Sequence, residues 1–151
     1  MSALHTDGSE PATARPGGQR LAGTVSAIVC SVIAALLAAV LGTLLHAQIL
    51  YVQDLPVPWG AVAALVLAGA AAVVAATYSG RLWAAALTGA LTYGVVALVT
   101  FDTDNWFIVS WAQHHAMPGP ALAGALWVYG LVASTVAALL IAARALRGGA
   151  R

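Results

Sequence analysis

The chain has 151 residues, 62% of them hydrophobic and only 7% charged, with a formal net charge of +1. Its mean hydropathy of +0.91 excludes an ordinary soluble domain, and so small a net charge gives no electrostatic handle on nucleic acid or an acidic partner. Cys30 is the only cysteine, which rules out an intrachain disulfide and a CxxC redox motif.

Residues 1–19 are rich in Gly, Pro, Ser, Thr and Ala, and Pro11 and Pro16 interrupt helical patterning. They read as a disordered tail with no apolar face to bury. Arg20 leads into the first of four apolar runs, 21–45, 59–78, 82–101 and 121–143, none of which contains Asp, Glu, Lys or Arg. About twenty apolar residues is the length a helix needs to cross the hydrocarbon core. The first run is too long for the core of a cleaved signal peptide, and Leu45-His46-Ala47 is a poor cleavage site, so it reads as a retained transmembrane helix. Within it, Cys30 packs as a small apolar residue.

The first connection carries Tyr51, Asp54, Pro56 and Pro58, with Pro58 suited to the first turn of the second helix. Ser79-Gly80-Arg81 makes a tight turn, so the second and third runs form an antiparallel hairpin. Residues 102–120 form the longest connection, closed by Met117-Pro118-Gly119-Pro120. The last run ends near Arg144, and 148–151 are a C-terminal tail marked by Gly148 and Gly149. The expected organisation is therefore a tail (1–19), a four-transmembrane-helix domain (20–147) and a short end (148–151). Its fold class is an all-α integral membrane four-helix bundle.

All six basic residues are arginine, and Arg15, Arg20, Arg81, Arg144, Arg147 and Arg151 all fall on the side that holds the two termini. The positive-inside rule makes that side cytoplasmic, in the bacterial cell (plasma) membrane. Tyr51, Trp59, Tyr78 and Trp83 bracket the span ends, where an apolar ring with a polar tip suits the headgroup layer.

Small residues recur four apart: Ser26, Cys30 and Ala34; Gly60, Ala64 and Ala68; Ala85 with Gly89; Ala90 with Gly94; Gly130 with Ser134. Such spacing lets helices approach closely in lipid. Thr88 and Thr92 form a mild polar stripe with Ser134 and Thr135 opposite. These hydroxyls either line a path or bond to carbonyls within the bundle, and the latter is the ordinary use. No ionisable residue lies in mid-span, where ion-coupled transporters place one. Small multidrug transporters share the helix count but depend on a membrane-embedded glutamate that this chain lacks.

The outer connection contains Asp102, Asp104, Trp106, Trp111, His114 and His115, with His46 on the same side of the bundle. Residues 106–111 are apolar but too short to span, and read as a surface helix anchored by two tryptophans. Asp102, Asp104, His114 and His115 are the weak candidates for a metal site, since carboxylate and imidazole suit Zn²⁺, although their spacing matches no metal motif. No catalytic constellation and no cofactor-binding motif is visible.

The run Val57-Pro58-Trp59-Gly60, the turn Gly80-Arg81-Leu82-Trp83 and the Gly-rich start of the last helix resemble an uncharacterised actinobacterial family of small four-helix membrane proteins. The resemblance covers roughly residues 20–145. Genes of that family often stand beside the deacetylase of mycothiol synthesis, which implies a neighbourhood in thiol metabolism but no activity or residue role. The expected function is that of a non-enzymatic accessory or scaffold subunit, the alternative being a small transporter or channel component acting as an oligomer. The expected partners are the lipid bilayer and either another membrane protein or a second copy of the chain, without nucleic acid.

Overall fold

The computed structural model of the chain describes residues 16–53, 55–101 and 108–148. Four helices dominate them: α1 (Pro16–His46), α2 (Trp59–Ser79), α3 (Leu82–Phe101) and α4 (Pro118–Gly148). Each is long and apolar enough to cross a membrane, over Leu21–His46, Trp59–Ser79, Leu82–Thr100 and Pro118–Gly148. The all-α four-helix fold read from the sequence is the one observed, and the chain is built as a multi-pass membrane protein.

The helix ends differ from expectation at prolines. α1 begins at Pro16, inside the segment assigned to the tail. Proline is tolerated in a first turn, where its missing N–H would have no intrahelical acceptor, so Pro16 opens the helix instead of breaking it. Likewise α4 begins at Pro118 and runs on to Gly148, past Arg144. Residues 1–15 of the tail expected to be disordered, and 149–151 of the C-terminal tail, lie outside the described residues.

The turn between α2 and α3 follows from one glycine. Gly80 adopts φ 64° and ψ 21°, the left-handed conformation that costs glycine least. Its N–H donates to the Thr77 carbonyl at 3.3 Å, and the Arg81 N–H donates to the Ala76 carbonyl at 3.0 Å. This is a Schellman turn, which satisfies the last carbonyls of α2 and sends α3 back antiparallel.

The first connection, for which no strand was expected, is an antiparallel hairpin of β1 (Leu50–Val52) and β2 (Leu55–Val57), with Tyr51 opposite Pro56. Gln53 makes its turn with φ 49°. Pro56 is accommodated because a two-stranded ribbon consists of edges only. Tyr51 and Pro56 close over Gly119 at the start of α4, where an added Cβ would lie 2.7 Å from the Tyr51 hydroxyl.

α1 and α4 each pack on both α2 and α3, which also pack on each other, while α1 and α4 meet at few points. The interior is built from small side chains. Ala38, Ala39, Ala64 and Ala68 surround Val96, Ile108, Trp127 and Leu131, and a second cluster joins Ala72, Ala76, Ala85, Ala138 and Ala142. Large aliphatic residues such as Ile33, Val66, Leu98 and Leu140 face outward. In lipid there is little hydrophobic gain from burying them, so close backbone approach through small residues holds the helices together.

Not every predicted stripe is an interface. Gly60, Ala64 and Ala68 are buried, as are Ala85 and Gly89, but Ala90 is exposed. On α1 the buried series is Ala27, Ser31, Ala35, Ala38 and Ala39. Ser26, Cys30 and Ala34 line an outer groove instead. Alanine is so frequent on α1 that two neighbouring faces satisfy the four-residue spacing, and sequence alone does not choose between them.

Candidate functional site

The connection between α3 and α4 packs into the bundle before it reaches its histidines. Ile108 is buried within the larger core cluster. The Val109 carbonyl comes so close to α4 that an added Cβ on Gly124 would stand 2.5 Å from its oxygen. The surface helix expected over 106–111 is therefore corrected: Ile108 and Val109 tuck against α4, because Gly124 leaves room for their backbone and Ile108 supplies apolar packing. Among the described residues of this connection, helical structure is a 3-10 turn over Trp111–Gln113. Ser110 caps it, accepting from the Ala112 N–H at 3.4 Å.

His114 follows that turn. Its ring stacks on Trp111 with centroids 5.0 Å apart and an interplanar angle of 8°. Nδ1 lies 2.9 Å from the Trp111 carbonyl; with the carbonyl as acceptor, this is the Nδ1–H tautomer. The His115 ring lies 3.8 Å from that of His114, tilted by 41°. The structure thus brings His114 and His115 together. Asp102 and Asp104 lie outside the described residues, and among the described residues no three His, Cys, Asp or Glu side chains converge.

His46 is turned inward. It is buried at the C-terminal end of α1, its Nδ1 bonded to the Thr43 carbonyl one turn back. Its ring lies 6.2 Å from that of Trp127, inclined by 20°. Trp127 is fully buried, and its six-membered ring covers Gly42 so closely that no Cβ could stand there. Its indole N–H has no hydrogen-bond partner among the described residues. Sequence reasoning missed this cluster. The available signal was a tryptophan inside an apolar run, unlike Trp59 and Trp83 at span ends.

The hydroxyl groups have the packing role. Thr88 donates to the Ala84 carbonyl at 2.9 Å, and Thr92 donates to the Thr88 and Ala35 carbonyls at 2.8 and 3.4 Å. Ser31, unremarked in the sequence, donates from α1 to the same Ala84 carbonyl at 3.3 Å. Ser134 donates to the Leu65 carbonyl of α2 at 2.7 Å, and Thr135 to the Leu131 carbonyl at 2.8 Å. The expected pairing of stripes is corrected here. Thr135 faces α3 across Gly89, but Thr92 reaches α1 and Ser134 reaches α2, so the four hydroxyls do not converge on one path.

No family model, no curated protein and no solved structure matches the chain.

Proposed function

We propose that the chain is a non-enzymatic accessory or scaffold subunit of the bacterial cell membrane, with both termini cytoplasmic. The observation that carries this reading is the use of its polar interior. The hydroxyls of Ser31, Thr88, Thr92 and Ser134 all donate to backbone carbonyls within the bundle, which makes them fasteners between and along helices. The orientation is supported by arginine at the α1, α2–α3 and α4 ends of the inner side. The likeness to small actinobacterial membrane proteins is part of the same proposal and fits a short chain that serves a larger assembly.

Purification from native membranes in mild detergent should recover a second membrane protein in fixed stoichiometry, and that protein should lose stability when this chain is deleted. A homo-oligomer that conducts a solute across liposomes would contradict the scaffold reading and establish the transport alternative.

A further inference from the structure

The inner end of the bundle presents a guanidinium held in a fixed place. Arg81 lies between the span that ends at Ser79 and the one that begins at Leu82, which is the depth of lipid phosphates. Its Nη1 donates to the Thr24 hydroxyl of α1 at 2.6 Å. Its Nη2 rests against Gly23, where an added Cβ would lie 3.5 Å away. The guanidinium carbon stands 5.9 Å from the Trp83 ring centroid. A guanidinium offers five N–H donors in a planar fork, so this geometry orients the group without exhausting it. The described residues include no Asp or Glu.

An apolar groove of about 770 Å³ starts beside this group. Its mouth is formed by Ala22, the neighbour of Gly23, and by Tyr78, one turn before Arg81, and it runs past Val25, Val29 and Ile33 to Leu37. At 1.5 Å per residue the groove is about 22 Å long, against roughly 15 Å for half of a ~30 Å hydrocarbon core. It therefore spans the depth of one leaflet, starting from the arginine.

We infer that Arg81 and this groove form a binding site for an anionic phospholipid, with the phosphodiester on the guanidinium and one acyl chain along α1. The planar fork matches phosphate oxygens, and its contacts to Thr24 and Trp83 reduce the ordering cost of binding. Arg144 and Arg147 occupy the end of α4 on the same side. That positive end disfavours a zwitterionic headgroup, which would add an ammonium there, and favours a lipid with net negative charge.

Native mass spectrometry of the full chain, titrated with phosphatidylglycerol and with phosphatidylcholine, tests the site. One phosphatidylglycerol should be retained about tenfold more strongly than phosphatidylcholine, since both phosphodiesters can meet Arg81 but only the choline ammonium is repelled by the arginines of that end. Arg81→Gln should weaken retention of both lipids, phosphatidylglycerol by about tenfold through the lost hydrogen bonds to its phosphodiester, whereas Arg144→Gln should leave phosphatidylglycerol bound and only narrow the preference. Ile33→Trp, at a position already 54% exposed, should fill the groove and weaken retention with the charge intact, even if Arg81→Gln does not fold. Equal retention of the two lipids by the unaltered chain would overturn the inference. So would undiminished phosphatidylglycerol binding in Ile33→Trp, or its displacement by an equal concentration of soluble glycerol 3-phosphate.

Discussion

Two glycines on α3 show how far a single residue's role depends on the face it occupies. An added Cβ at Gly89 would collide with the Thr135 side chain of α4, whereas at Gly94 nothing lies within 4 Å. Gly89→Leu should therefore destabilise the bundle by the roughly 1–3 kcal/mol typical of overpacking and lower its melting temperature in detergent, while Gly94→Leu should melt unchanged. Equal effects would mean that α3 is rotated from the orientation described. Trp127 supplies the complementary case. Trp127→Ala removes the largest buried side chain and should cost about 3–5 kcal/mol through the cavity it leaves. Trp127→Phe should cost much less, because it also removes a buried indole N–H that has no partner among the described residues and so carries a desolvation penalty. Chemical denaturation of both variants in the same detergent would rank them. None of these pairings was legible beforehand: both glycines sit among alanines, and only the fold places Gly42 under Trp127.

At the scale of the element, span number and approximate position were legible because the bilayer dictates length and the absence of charge. Helix ends were less so, since Pro16 and Pro118 break a helix or begin it depending on which side the chain continues. Facing was least legible. α1 is apolar all round, so periodicity does not separate the side that meets α3 from the side that meets lipid. The β1–β2 hairpin escaped notice because three-residue strands leave almost no alternation to read. The outer connection was read too simply as a surface segment, since nothing local announced that Ile108 would find a place in the core beside Gly124. In His114, Nδ1 is already committed to the Trp111 carbonyl and the ring to the Trp111 face, which favours a structural part for it. Protein purified without chelator should accordingly contain only trace metal, and His114→Ala should leave the fold intact. Near-stoichiometric Zn²⁺ that disappears in His114→Ala would instead make Asp102, Asp104, His114 and His115 a metal site.

On the scale of the whole molecule, the bundle inverts the distribution of a soluble core, with alanine inside and Leu, Ile and Val outside. This arrangement is stable only where lipid receives the outer surface. It also sets Arg81 and the ends of α1 and α4 at one end, opposite the hairpin and the His114 connection. Cys30, expected inside the helix packing, is half-buried and lines the α1 groove, so topology is best measured in a Cys30→Ala background. Single cysteines at Ser110, exposed at the end opposite the α2–α3 turn, and at Ser79, on the last turn of α2, report the two sides directly. With a membrane-impermeant maleimide, Ser110→Cys should label in intact cells and Ser79→Cys only after lysis. The reverse pattern would contradict the orientation, and labelling of both in intact cells would contradict a bundle that spans the membrane.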